Sequence, residues 1–588
     1  MCVMFRFVSI ITLLIFSAVA NAKVHFNNTT ELASSTIIAY SQKEDALYFA
    51  NDLIGASAWY NVGVYGAGAN VANVELGIRW DGHIAFSNTS KGEVFVPDGA
   101  SVESLYHDHA TATSGVISGY QMPDNTNAEL ELQIYAAFGV APLSTLSDGA
   151  VARKISSNGT AELTGNDFER AYKHFFETNS QDVISSSWGP LDDIAGAYSA
   201  AYVDALSYKN KYTTLAIAAG NATIGSTLAR PTSFAQSYNA ISVGALDNSP
   251  EYNEIADFSL GSPTDFYNPI TQTTIKNVRP AVDICAPGVD IFVPYYDSSD
   301  TTTNNMYAAI SGTSVSTPLV SGTVALMASL SKELEARSDF VQAGWSADAR
   351  DSRVIKAVLM NSADKPADWD NGQSIQDNVE VKLEISGIQG FYAVESFNGV
   401  IKTTQGLDFN YGAGALNAER ALEQYVGLYT TGTLNNVWLL DEVDFCASKL
   451  YHIGEINEGS TLTMTLVWQA IYELVETTDT LGNTTESIVN PALSDLALEL
   501  WIQLADGTFM PVAISDTKYN NVEHLSVTLA GVADYYVRVA FFDTSYGDVP
   551  TETYALAWNI VTAIPEPAEW AIVIGAIALF FAVRRKRK

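Results

Sequence analysis

Cations and cysteines are scarce in this chain, and each shortage narrows what it does. Its 588 residues carry 31 Lys and Arg against 66 Asp and Glu, a formal net charge of -35. Nucleic-acid binding draws on clustered Lys and Arg that displace counterions from phosphate, so a nucleic-acid partner is excluded. Three cysteines cannot build a disulfide scaffold of this size. The sequence has no short-period repeat and no EF-hand spacing, so no calcium ligands are assigned. Apolar residues, by contrast, are plentiful. With 47% hydrophobic and 11% aromatic residues the chain buries a large core, which excludes disorder as its main state. At roughly 100–200 residues per domain, the length admits two to four domains.

The cations that do cluster sit at the ends. Residues 1–22 hold Arg6, an apolar stretch at 7–19 and then Ala20-Asn21-Ala22. Charge, apolar run and small-residue cleavage site together make a secretory signal peptide, followed by a lead-in over 23–54. At the other end Pro565-Glu566-Pro567 precedes an apolar run at 571–583 and the cations Arg584, Arg585, Lys586, Arg587 and Lys588. That run makes a short membrane span, with its cationic tail held on the cytoplasmic side. The body between is therefore more acidic than the whole-chain charge, and it keeps two cysteines, Cys285 and Cys446, read as unpaired thiols.

From about 55 to 425, short apolar runs alternate with amphipathic stretches. The pattern predicts strands at 72–74, 182–186, 214–219 and 240–243, and helices at 167–178, 196–207, 317–334 and 351–361. Such alternation argues for an α/β fold, a parallel sheet with helices on both faces. From about 430 to 560 strand-like segments take over, at 462–469, 496–504, 524–529, 534–542 and 554–560. They are separated by Gly, Asp and Asn turns, the texture of a β-sandwich. The chain thus divides into 55–425, expected to carry the chemistry with insertions near 88–104 and 366–405, and 426–562.

The strongest motif is Ile310-Ser311-Gly312-Thr313-Ser314-Val315-Ser316-Thr317-Pro318, followed by Leu319, Thr323, Leu326 or Met327, and Leu330 at helical spacing. A serine at a helix N-terminus lies where free N–H groups and the dipole favour an incipient oxyanion. Pro318 is accommodated if it falls in the first turn. Gly-Thr-Ser-x-Ser-x-Pro resembles the nucleophile motif of subtilases, the subtilisin-like serine proteases of peptidase family S8.

Other segments extend the resemblance residue by residue. His109-Ala110-Thr111, with Ser114-Gly115 beyond, is similar to the segment carrying the catalytic base, with Ala110 in place of the usual Gly. His107 lacks that spacing. Val71-Ala72-Asn73-Val74-Glu75-Leu76-Gly77-Ile78 resembles the strand that ends in the catalytic acid, and Glu75 stands where the family usually has Asp. Glu is one methylene longer, so the backbone or the His109 ring must shift to compensate; Asp81 lies several residues past the strand end. Thr214 to Asn221 resembles the strand whose closing Asn donates to the oxyanion, which implies that role for Asn221. Asp182 to Pro190 resembles the strand that pairs with substrate backbone and walls a pocket, assigning Ser187, Trp188 and Gly189 to substrate binding; Trp188 reads equally well as a core aromatic. Gly139 to Pro142, Ala286 to Gly288 and Tyr411 to Ala418 match recurring subtilase stretches.

The resemblance implies a subtilisin-like sheet followed by a jelly-roll β-sandwich, and a serine endopeptidase acting on protein or peptide substrates. Its triad would be Glu75, His109 and Ser314. No cofactor is needed for that chemistry, and structural calcium is a family trait whose ligands are unassigned. The Pro-Glu-Pro tail resembles the PEP-CTERM sorting signal of Gram-negative bacteria. It implies an exosortase-type partner, transient anchoring in the membrane through 563–588, and delivery to the cell surface or medium. The Glu75 departure leaves one alternative, an inactive surface binding protein on the same fold.

Overall fold

The computed structural model describes residues 50–562 apart from 121–137, 156–160, 163–166, 179–180, 190–197, 223–229, 249–251, 298–305, 343, 386–389, 428–434 and 479–483. The expected signal peptide, most of the lead-in and the sorting tail lie outside the described residues.

Seven strands form the main path of the eight-stranded first sheet: β1 (Asn70–Glu75), β2 (Ser90–Phe95), β3 (Thr145–Ala150), β4 (Val183–Ser186), β5 (Thr214–Ala218), β6 (Ile241–Asp247) and β7 (Ile284–Pro287), with the short strand Glu254–Ile255 added antiparallel on β6. Their order is β7-β6-β5-β4-β1-β3-β2, and every pairing along it is parallel. Strands β4 and β5 are buried at every residue, as expected of parallel strands covered on both faces, which read as continuous apolar runs. Five helices matter for the site: α1 (Asp108–Ser118), α2 (Asp167–Lys173), α3 (Tyr198–Lys209), α4 (Thr313–Glu335) and α5 (Ser352–Ser362). Alternation along β1 splits them between two cores. Val71 shares one core with Ile117 of α1 and Leu319 of α4. Ala72 and Val74 face the other, with Tyr172 of α2 and Tyr202 of α3.

Several boundaries differ from expectation, and one of them bears on the site. Helix α4 starts at Thr313 rather than 317, so Pro318 lies in the second turn and not the first. The start is fixed early because Asn221 Oδ1 takes both the Thr313 N–H, at 2.9 Å, and its hydroxyl, at 3.1 Å. The N–H that proline lacks is the helical donor to the Ser314 carbonyl.

Beyond the first sheet and several two-stranded ones, eleven strands build two larger sheets: β8 (Ser374–Gln376), β9 (Val400–Thr403), β10 (Asn436–Asp444), β11 (Ala447–Ile456), β12 (Thr461–Trp468), β13 (Ile471–Thr478), β14 (Thr484–Gln503), β15 (Phe509–Ser515), β16 (Val522–Thr528), β17 (Ala533–Tyr546) and β18 (Thr551–Val561). One sheet runs β8-β9-β15-β14-β17-β11 with β13 added on β14, and a second runs β10-β18-β12-β16. Leu439, Leu462, Leu466, Leu498, Val537 and Leu556 place both sheets on one core. Strands β8 and β9 come from the stretch read as an insertion in the first region, and β9 pairs in parallel with β15. The two regions therefore share a sheet.

They also share buried polar contacts. Asn361, near the end of α5 and buried, donates to Gln424 and accepts the Thr465 hydroxyl, each at 3.0 Å, while its backbone carbonyl accepts Asn559 at 3.0 Å. Asn361→Ala strands the Gln424 carbonyl oxygen and leaves the Thr465 hydroxyl with His524 alone, without removing much volume. It should lower stability by about 1–3 kcal/mol, seen as a drop in the urea midpoint; an unchanged midpoint would show that this junction contributes nothing.

Candidate active site

Strands β5, β4 and β1 are neighbours, and their carboxyl ends deliver three of the expected residues to one crevice. Glu75 closes β1, Ser187 follows β4, and Asn221 lies just past β5. In open α/β sheets this edge is where ligands bind.

His109 is brought to the same place by the entry to α1. Ile78 N–H donates to the Leu105 carbonyl and His107 N–H to the Ile78 carbonyl, each at 2.9 Å. These bonds fasten the segment after Glu75 to the segment before His109. Trp80 N–H adds a third tie at 2.9 Å to the hydroxyl of Thr111. Beneath, buried Asn73 reaches from β1 to Thr113 and Ser114 of α1, at 2.9 Å each. Close packing needs small residues: a Cβ on Gly115 would lie 2.4 Å from Pro294.

Glu75 is fully buried and uses both carboxylate oxygens. Oε2 lies 3.0 Å from His109 Nδ1, and Oε1 accepts the Ser187 N–H at 2.9 Å. The longer side chain is thus accommodated between β1 and the end of β4. Burial disfavours a charged His109, but the charge and hydrogen bond of Glu75, with Asp108 beyond, outweigh it and raise its pKa above the ordinary 6.5. The side chain keeps 32% of its surface exposed, so Nε2, left to accept a proton when Nδ1 donates to Glu75, borders solvent. His107 is different. Burial holds its pKa below 6.5, against the pull of Asp108.

Ser314 stands in the first turn of α4, half-buried, its hydroxyl donating to the Ser187 carbonyl at 3.2 Å. Among the described residues no hydrogen bond joins it to His109. One residue, Ser187, therefore holds Glu75 through its N–H and Ser314 through its C=O. Asn221 Oδ1 is occupied by Thr313, whose hydroxyl accepts the Gly220 N–H at 3.1 Å. Among the described residues Asn221 Nδ2 has no acceptor. A Cβ on Gly312 would sit 3.3 Å from that nitrogen and 3.6 Å from Ser314 N; both donors border one small space.

A cavity of about 590 Å³ opens beside Glu75 and His109, lined also by His107, Phe168, Ser187, Trp188, Gly189 and Phe234. Trp188 answers to both of its readings. It faces the cavity, yet its ring lies 5.9 Å from Phe168 and 5.7 Å from Phe234, and its indole N–H donates to Tyr172 at 3.2 Å. Asp81 takes no part; it pairs with Lys91 at the surface. Cys285 and Cys446 are both free thiols. Among the described residues no group of three or more His, Cys, Asp or Glu is arranged to hold a metal ion, so the calcium expectation gains no ligands. The sequence reading missed Asn73, Phe168, Phe234 and the double use of Ser187. A polar residue inside an apolar strand was a signal for Asn73; backbone groups leave none.

Comparison with known proteins bears on this site. The sequence model of the subtilase family matches residues 62–414. The thermophilic serine proteinase of Bacillus sp. (strain AK1) is 29% identical over 237 residues, 38% of this chain and 49% of its own. The chain thus spans about half the length of that relative. The solved structure of the prenylagaramide maturation protease PagA aligns with a TM-score of 0.40 at 19% identity, over 63% of this chain and 98% of that one, too loosely to carry an argument.

The pair of His109 and Glu75 makes a pH prediction. Because its folded pKa is raised, the pair stabilises the protein fully below 6.5, and that contribution fades as pH climbs through the folded value. In Glu75→Gln only Asp108 remains to oppose burial, so the His109 pKa should fall relative to the unaltered protein, read by NMR of histidine-labelled protein. A titration unmoved by the substitution would break the assignment.

Proposed function

Since the chain belongs to the subtilase family, we propose that it is an exported serine endopeptidase that cleaves peptide bonds through an acyl-enzyme. Glu75, His109 and Ser314 serve as acid, base and nucleophile, and Asn221 as oxyanion donor. The observation that carries this is the Glu75 carboxylate, buried and shared between His109 Nδ1 and the Ser187 N–H, with Ser314 on the carbonyl of that same residue. Subtilase chemistry needs an oriented, neutral imidazole next to a serine at a helix N-terminus, and the fold of this chain supports both.

In the reaction Ser314 Oγ leaves the Ser187 carbonyl, turns toward His109 Nε2 and gives up its proton while attacking the substrate carbonyl. Glu75 steadies the resulting imidazolium. Asn221 Nδ2 and the Ser314 N–H bind the oxyanion. His109 then protonates the leaving amine, and water releases the acyl group by the same path. The resting bond to Ser187 is a small obstacle: a neutral hydrogen bond is worth about 0.5–1.5 kcal/mol net. The aromatic walls of the cavity suit a bulky apolar side chain of the substrate peptide.

The reading extends to the ends of the chain. Residues 1–22 direct export, 563–588 form a sorting signal recognised by an exosortase-type enzyme, and the two C-terminal sheets make a jelly-roll sandwich outside the cell. A second reading, a silent surface binding protein, draws on the Ser314 hydroxyl bonding Ser187 instead of His109.

Labelling with a fluorophosphonate separates them. The purified chain should carry the adduct on Ser314 by mass spectrometry, and His109→Ala should lose it; absence of labelling in the unaltered chain would favour the silent protein. Asn221→Ala should cost about 100–1000-fold in kcat with KM little changed, measured on a peptide substrate. The acid limb of kcat/KM should lie above pH 6.5, since His109 must be neutral to act as base.

A further inference from the structure

The aromatic wall of the cavity stands on two helices that a distant part of the chain ties together. Phe168, in the first turn of α2, lies 5.9 Å from Trp188 and 6.1 Å from Tyr202 of α3. Lys173 ends α2. Both helices meet the hairpin of β13 and β14. Glu486 of β14 takes Lys173 on Oε1, and on Oε2 it accepts the Tyr202 hydroxyl at 2.8 Å. Glu476, across the hairpin, also contacts Lys173, but its side chain is 55% exposed against 20% for Glu486. Water screens the Glu476 contact, whereas the Glu486 link is partly dry and has two partners. Leu474 of β13 and Ile488 of β14 pack on the apolar core behind the wall, against the group that holds Tyr172, Phe175 and Phe234.

We infer that Glu486 is a positioning residue for the cleft: by clamping α2 to α3 it fixes the aromatic wall, and so sets how well the cavity holds a bulky apolar substrate side chain. The inference rests on the reading of that cleft as the substrate site. It gives the C-terminal sheets a share in specificity, although none of their residues lines the cavity. The clamp acts on substrate fit and not on the reacting groups, so its signature lies in KM and in selectivity.

The test uses the full chain and two series of peptides, each position in turn carrying phenylalanine or alanine. In Glu486→Ala the ratio of kcat/KM for phenylalanyl over alanyl peptide, at the position that reads the cavity, should fall about fivefold, borne by KM. Fluorophosphonate titration of Ser314 should be undiminished. Tyr202→Phe, which removes one hydroxyl and keeps the packing, should shift the ratio the same way by about twofold and stands in if Glu486→Ala does not fold. Full labelling with an unchanged ratio in the folded variants overturns this inference alone. A uniform loss across all peptides overturns it as well, in favour of a merely structural contact. No labelling of the unaltered chain overturns the protease reading and takes the inference with it.

Discussion

The site depends on one buried carboxylate. Stripping water from an ionised side chain costs several kcal/mol, and removing a single partner from a buried charged group costs about 3–5 kcal/mol. Glu75 must therefore satisfy both oxygens locally, and the parallel sheet does this for it. β1 and β4 pair with Asn73 opposite Ser185, so two residues further on Glu75 comes level with Ser187 and meets its N–H. The other oxygen is left for His109. The register of two strands thus sets the aim of the imidazole.

Each remaining part is placed by a constraint of the same kind. His109 cannot drift from Glu75, because Ile78 binds both Leu105 and His107 across the short path between them. Ser314 cannot drift from Asn221, because Thr313 beside it is held by Asn221 on one side and holds Gly220 on the other. Three strand ends and two helix starts are joined by backbone and hydroxyl groups and by short buried side chains such as Asn73 and Asn221.

Much of this was legible beforehand, and unevenly so. Gly312 to Pro318, His109 to Gly115 and Val71 to Ile78 announce themselves because the chemistry constrains side chains at fixed spacing. Parallel strands buried on both faces read clearly as apolar runs, and β4 and β5 fall within a residue of their expected bounds. What stayed hidden is carried by groups without identity in the sequence. The N–H and C=O of Ser187 would serve equally well from most residues. The start of α4 depends on a hydrogen bond from Thr313 to Asn221, 92 residues away, which no local helix signal contains. Strands β8 and β9 are three and four residues long, too short for a period to show, and their sheet partner lies about a hundred residues downstream.

Helix α4 has a consequence at an earlier stage of the molecule's life. Among the described residues it is the helix long and apolar enough to cross a bilayer, yet it is almost wholly buried in the folded protein. On the export reading the same segment passes through a translocation channel before any core exists to receive it. There its apolar length invites arrest in the membrane. Thr317, Ser321 and Thr323 temper that risk. Folded, their hydroxyls bond the carbonyls four residues back, at 2.9, 3.0 and 2.9 Å, and need no other partner. In the extended chain they are free to bind water. On that reading the same three hydroxyls serve both the unfolded and the folded chain.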